Sequence, residues 1–256
     1  MEAYTVFADI YDDFMGNIPY ETWSNNIAGL LKEYDITEGI VCELGCGTGK
    51  LTELMAKKGY EMIGIDNSED MLSVARESCR EDILYLLQDM RELELYGTVE
   101  AVISVCDSMN YLVKDGELEE VLRKVNLYLE RDGIFIFDMK TEYCYEKVLG
   151  DSVQYEDTED MALIWENHYD NQSKIHTYDL TMFISYDEEE CFTRYRETHY
   201  QRAYSVNEVK AAVKAAGMEL LKVIDADSMK EPGESSERIY YVVKECFQEN
   251  KTYVEG

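Results

Sequence analysis

Basic residues are scarce in this 256-residue chain: 24 lysines and arginines stand against 54 acidic residues, a formal net charge of -30. A surface of that sign repels phosphate backbones and anionic lipid, which argues against nucleic-acid binding and against a membrane surface. Long apolar runs are missing as well; none approaches the roughly 20 residues that a membrane-spanning helix needs. The opening "MEAYTVFADI" is acidic and lacks the pattern of a secretory leader. Histidine occurs three times, at 168, 176 and 199, too dispersed to argue for a metal site. The seven cysteines are odd in number and include no C-x-x-C, and several lie in apolar runs where a reduced thiol packs as a small hydrophobe. A reduced, cytoplasmic protein is expected. Only two prolines are present, and no separable second domain or internal repeat is visible.

Strand and helix patterns alternate through the first half. Two helical patterns occupy residues 3–35, broken near "GNIPY". "GIVCEL", "YEMIGID", "DILYLLQD", "EAVISVCD" and "IFIFDM" read as five strands. Between them, "GKLTELMAKKG" and "NSEDMLSVARESC" read as helices, the second capped by Asn67 or Ser68. "DGELEEVLRKVNLYLERDG" reads as a long helix stopped by Gly133. This order predicts a parallel sheet covered by helices on both faces. From about 140 to 203 the pattern changes to alternating aromatic and β-branched segments, which predict antiparallel strands inserted into the domain. A helix capped by Ser205 and stopped by Gly217, then two strands joined by a hairpin connection, complete the chain. Three parts are expected: 1–139 for ligand binding, 140–203 as a lid or dimer platform, and 204–256 returning to the first part. The insertion is expected over the carboxyl ends of the parallel strands, where open α/β sheets bind ligands.

The densest chemical signal is "CELGCGTGK", residues 42–50. A dinucleotide loop wants G-x-G-x-x-G, but Lys50 holds the third glycine's place. A P-loop fails at Leu44 and Leu51. What remains is Glu43-x-Gly45-x-Gly47-x-Gly49. The glycines allow a sharp turn and close approach of a ligand, while Glu43 disfavours a diphosphate and tolerates a cation. Carboxylates close the next strands: Asp66 can accept from ribose hydroxyls, and Asp89 from an exocyclic amine with the Met90 amide donating to the ring. Asp107, Ser108 and Asn110 are expected in the same crevice, and Lys50 is expected to face solvent.

"VCELGCGTG", "GIDNS", "QDM" and "ISVCDSMNYL", in this order, resemble the class I S-adenosylmethionine-dependent methyltransferases. "YTVFADIYDDFM" with "PYETW" is similar to their small-molecule branch, and the insertion resembles that of sugar N-methyltransferases. The resemblance covers nearly the whole chain. It implies a Rossmann-like, mostly parallel sheet of seven strands with an antiparallel β insertion after the fifth, the last strand lying antiparallel beside the fifth. It implies S-adenosylmethionine as cofactor and S-adenosylhomocysteine as product. The implied cofactor contacts are Tyr11, Trp23, Glu43, Gly45, Cys46, Gly47, Gly49, Asp66, Asn67, Asp89, Met90, Cys106 and Asp107. Where many members carry Asp before the fourth strand this chain has Glu100, a structural position.

Methyl transfer from a sulfonium is an in-line displacement, so the protein's task is position and electrostatics. Tyr4, Tyr11 and Trp23 are candidates for an aromatic wall near the cationic sulfur, Tyr11 foremost. His199 can take a proton from an attacking amine or hydroxyl, with Tyr11 beside it as catalytic candidate. Tyr4, Asn110 and Arg202 are candidate substrate contacts. A small-molecule substrate is expected, without nucleic acid or membrane, in a monomer or a homodimer joined through the insertion. The residues do not separate N- from O-methylation. A catalytically silent cofactor-binding protein and a nicotinamide-dependent oxidoreductase are the alternatives.

Overall fold

The computed structural model describes residues 18–77, 82–185, 191–246 and 251. Its elements follow in chain order: α1 (Tyr20–Lys32), β1 (Ile40–Leu44), α2 (Lys50–Lys57), β2 (Glu61–Asp66), α3 (Glu69–Glu77), β3 (Leu84–Leu87), β4 (Val99–Ser104), α4 (Glu117–Tyr128) and β5 (Leu129–Lys140). Then come β6 (Val153–Asp157), β7 (Met161–Asp170), β8 (Ile175–Ile184), β9 (Thr193–Arg202), α5 (Val206–Ala215), β10 (Glu219–Asp225) and β11 (Arg238–Lys244).

Seven strands form one sheet in the order β10-β11-β5-β4-β1-β2-β3. β1, β2, β3, β4 and β5 run parallel to one another, and β11 lies antiparallel between β5 and β10. Side-chain alternation feeds two cores. On one face Ile27 and Leu31 of α1 and Leu51 and Met55 of α2 pack on Val41, Ile103, Ile134 and Ile136. On the other, Val121 and Val125 of α4 and Val209 and Val213 of α5 pack on Val102, Phe135 and Phe137. Ser205 caps α5 in a reciprocal box with Glu208, and Ser68 caps α3 by accepting from the Met71 amide at 3.2 Å. Glu100 is structural as expected: it accepts the Ile40 amide at 2.6 Å, joining β4 to the start of β1.

One expectation needs correction, and two fall outside the described residues. The helix before β5 ends at Tyr128, and Leu129–Gly133 belongs to β5, which pairs with β4 from Val99↔Leu129 onward through a bulge. Gly133 is therefore a close-approach glycine; a Cβ there would lie 2.9 Å from the Glu130 carbonyl oxygen. The "DEEE" turn lies at 187–190, outside the described residues, as does the first helical pattern before residue 18.

The insertion is an antiparallel meander, β6-β7-β8-β9. Its inner face carries Leu163, Leu180 and Met182 and packs against Met71 and Val74 of α3, beside the carboxyl ends of the parallel strands. Asn110 fastens its base: it donates to the carbonyls of Lys140 at 3.2 Å and Arg202 at 2.8 Å, and accepts from the Lys140 amide at 2.9 Å.

Candidate active site

From β1 the chain builds outward through β2 to β3, then returns to place β4 on the other side of β1. That reversal opens a crevice at the carboxyl ends of β1 and β4. It holds about 270 Å³ of space.

The glycine loop forms its floor. The amides of Gly45 and Cys46 both donate to the Ile65 carbonyl, at 2.7 and 3.0 Å, folding the loop back onto β2. Gly45, Gly47 and Gly49 all take positive φ, at 70°, 54° and 77°. A Cβ on Gly45 would stand 2.5 Å from Ser108 Oγ, and one on Gly49 would collide with the Tyr85 phenol. A Cβ on Gly47 would meet nothing within 4 Å, so that side of its backbone faces open space.

Carboxylates ring this floor. Glu43 is buried, accepts from Thr52 Oγ1 at 2.5 Å, and burial pushes its carboxyl up to about 8. Asp66 grips the loop, accepting from the Gly47 amide at 2.8 Å and the Ser68 amide at 2.9 Å; burial outweighs these bonds and raises its pKa. Asp89 is held by the Arg91 guanidinium, whose hydrogen bonds depress its pKa; Arg91 reaches on to Glu117 at 2.7 Å. Buried carboxyls held back from ionising suit a cationic ligand, which relieves the cost of their charge.

The crevice gathers Glu43, Gly45, Cys46, Gly47, Asp66, Asn67, Asp89, Met90 and Cys106 among the residues singled out in the sequence. Gly49 instead serves as N-cap of α2. Lys50 lines the crevice while remaining exposed. Of the trio expected after β4, Ser108 lines it, and Asp107 and Asn110 do not. Cys106 and Asp107 adopt left-handed φ of 61° and 56°, which turns the Asp107 carboxylate under the sheet. There it meets Arg238 at 2.8 Å, Lys140 at 3.1 Å and the Gln201 amide at 2.6 Å. Burial opposes its charge, but the two cations keep its pKa low. Arg202 also points elsewhere, to Asp115 at 2.7 Å and Glu208 at 3.1 Å. Trp23 is a core residue under Arg238, whose guanidinium carbon lies 5.0 Å from the ring centre; its neighbour Tyr20 reaches the crevice instead. His199 is buried behind Tyr111, which does line the crevice. Tyr4 and Tyr11 lie outside the described residues.

Residues 41–133 match the family model described as "Methyltransferase domain". Over 254 residues the chain is 34% identical to "Putative methyltransferase YqeM" of Bacillus subtilis (strain 168), covering 98% of this chain and 99% of that one. It also superposes on a crystal structure of a S-adenosylmethionine-dependent methyltransferase from Clostridium acetobutylicum ATCC 824, with 28% identity, 95% and 99% coverage and a TM-score of 0.83. The chain belongs to the S-adenosylmethionine-dependent methyltransferases. The methyltransferase shares its fold with CalS10 from Micromonospora echinaspora, an amino pentose methyltransferase solved with S-adenosylmethionine bound: 16% identity, 96% and 99% coverage, TM-score 0.73. Membership sets aside the nicotinamide-dependent oxidoreductase.

The crevice fits the methyltransferase's cofactor. Open space above Gly47 admits a ligand against the backbone, and a sulfonium or ammonium group there would favour the ionised forms of Glu43 and Asp66, whose burial otherwise opposes charge. Among the described residues no cluster of His, Cys, Asp and Glu could hold a metal ion, and no helix is long and apolar enough to cross a membrane. Sequence reasoning missed Tyr20, Arg91, Met71 and Tyr111 as lining residues. Tyr111 and Arg91 sat inside or beside the motifs already read; Met71 gave no local signal, because the crevice reaches it through folding alone.

Proposed function

We propose that this methyltransferase transfers a methyl group to the amine or hydroxyl of a small molecule, with an amino sugar as the first class to test. The observation that carries the reading is the crevice itself: a backbone-lined floor at Gly45–Gly47, ringed by Glu43, Asp66 and Asp89, with Met71 at its edge packed against the insertion. Its modest volume and the chain's net charge of -30 favour a small acceptor over a polyanion. The fold match to CalS10, named as an amino pentose methyltransferase, extends over 96% of this chain and supports the amino-sugar class.

In this reading Asp66 receives the ribose hydroxyls, Asp89 and Met90 meet the adenine, and the loop from Gly45 to Gly49 wraps the methionine portion. S-adenosylmethionine supplies the electrophilic methyl group. The chain holds donor and acceptor in line, excludes water with the insertion, and neutralises positive charge with Glu43 and Asp66. Isothermal calorimetry tests this. S-adenosylmethionine and S-adenosylhomocysteine should bind the wild type, and Asp66→Ala should weaken both about tenfold or more, since a hydrogen bond to a charged group contributes roughly 1.5–3 kcal/mol. Absence of binding to the wild type sinks the reading.

A cytoplasmic location accords with the buried thiols of Cys42, Cys46 and Cys144, which pack in the core as small apolar groups. A homodimer through the outer face of the insertion is the assembly we favour, because Tyr155, Ile164 and Tyr200 are exposed there, Tyr155 directly opposite Ile164. A mass in solution of 29.7 kDa rather than twice that would overturn it.

A further inference from the structure

Two ionisable residues lie buried on the inner face of β9, two positions short of the equally buried Gln201. Glu197 and His199 are two positions apart and therefore share a face, and their side chains are 1% and 0% exposed. On the adjoining strand the same face carries Leu180 and Met182. A carboxylate and an imidazole at such depth are costly unless something uses them.

Their geometry has a direction. His199 Nε2 lies 3.3 Å from Glu197 Oε2, and His199 Nδ1 lies 3.1 Å from the phenolic oxygen of Tyr111. The imidazole is stacked on Tyr178, 4.6 Å between ring centres and 7° from parallel, which fixes its plane. Glu197 acting as the acceptor would place the hydrogen on Nε2 and leave Nδ1 to present its lone pair. Tyr111 then donates to Nδ1, and the Tyr178 hydroxyl, also in contact with Tyr111 Oη, donates to that oxygen. Tyr111 closes the short turn Ser108–Tyr111 after β4 and lines the crevice. A line of proton acceptors thus runs from the crevice inward.

We propose that Tyr111 is the group that receives the methyl acceptor's proton, and that His199, positioned by Glu197, receives the phenolic proton in turn. The proposal rests on the methyltransferase reading of the crevice. As the acceptor's lone pair forms its bond to the methyl carbon, and that carbon's bond to sulfur breaks with the electron pair left on sulfur, Tyr111 Oη takes the N–H or O–H proton. Its own proton passes to His199 Nδ1. The positive charge that leaves the sulfonium reappears on the imidazole, against Glu197, and is discharged to solvent when product departs. Tyr111 is the catalytic residue of this relay; His199 and Glu197 are positioning residues that act through it.

Long-range ¹H–¹⁵N spectra of the full chain test the arrangement, because only three histidines contribute. His199, assigned by its loss in His199→Gln, should carry its proton on Nε2 and none on Nδ1. Its Nδ1 resonance should move in Tyr111→Phe. A proton on Nδ1, or an Nδ1 resonance indifferent to Tyr111→Phe, overturns the relay. Calorimetry with S-adenosylhomocysteine separates the two levels. No binding to the wild type overturns the methyltransferase reading, whereas loss in Tyr111→Phe alone assigns the phenol to the cofactor and overturns only the relay. In turnover of an acceptor amine used by the wild type, Tyr111→Phe and His199→Gln should each lower kcat about 10²-fold or more with KM little changed. The double variant should be no slower than the slower single; losses that multiply overturn the proposal.

Discussion

Glu43 and His176 are both displaced from their ordinary protonation, in opposite directions. Burial lifts the Glu43 carboxyl from 4.5 to about 8, so the folded chain holds that proton more tightly than the unfolded chain does. Its contribution to stability is complete below pH 4.5 and is lost as pH rises through 8. His176 is 1% exposed, donates from Nε2 to Asn167 Oδ1 at 3.0 Å and stacks on Tyr145; burial lowers it from 6.5 to about 4. Its contribution is complete above pH 6.5 and is lost as pH falls through 4. Glu43→Gln, which keeps an acceptor for Thr52, should therefore remove the decline in thermal midpoint between pH 5 and 8 that the wild type shows; an unchanged decline would exclude Glu43 as its source. The same carboxyl couples to the ligand. A cation in the crevice favours ionised Glu43, so S-adenosylmethionine should expel a proton on binding near pH 7 and bind more tightly as pH rises toward 8. Calorimetry in buffers of different ionisation enthalpy reads this directly, and a heat independent of buffer would sink the coupling.

Between elements, the central device is the buried ion cluster under the crevice. Arg238 of β11 lies between Asp107 at 2.8 Å and Asp138 of β5 at 2.6 Å, while the Cys106 and Asp107 amides donate to the Asp138 carboxylate at 3.1 and 2.7 Å. Three segments distant in sequence are thereby held in register below the loop that lines the site. Arg238→Met should leave buried Asp138 without its cation, Asp107 keeping Lys140, and cost about 3–5 kcal/mol, read as a lower urea midpoint. A loss below about 1 kcal/mol would mean that the cluster contributes little. This cluster also shows where the sequence stops being legible. The glycine loop, Asp66 and Asp89 were readable because each follows its strand directly, and a parallel strand's end fixes where the next residues go. Asp107 follows its strand just as directly, but left-handed Cys106 and Asp107 rotate it away, and no glycine announces that turn. Its partners Lys140, Gln201 and Arg238 come from β5, β9 and β11, so nothing local marks them. The boundary of α4 was lost for another reason: "LYLER" suits a helix or a strand equally, and pairing with Val99 decides it.

Over the whole molecule, 54 acidic against 24 basic residues leave an excess that no internal pairing can absorb. Several of the cations are also committed to buried or half-buried work, as with Arg238, Lys140 and Arg91. Exposed pairs such as Lys57–Glu53 and Arg123–Glu119 contribute only about 0–1 kcal/mol each, and salt weakens them. Salt screens the unpaired acidic excess at the same time, shortening the Debye length from about 30 Å at 0.01 M to about 3 Å at 1 M. With a net charge of -30 the second effect should win: the thermal midpoint should rise by several degrees between about 0.01 and 0.5 M sodium chloride. The same field draws a positively charged methyl donor toward the crevice, so its association rate should fall over that range. Rising stability with slowing association is a signature that a balanced surface would not give. A midpoint that stays flat or drops with salt would show that the acidic residues are spaced too widely to repel one another.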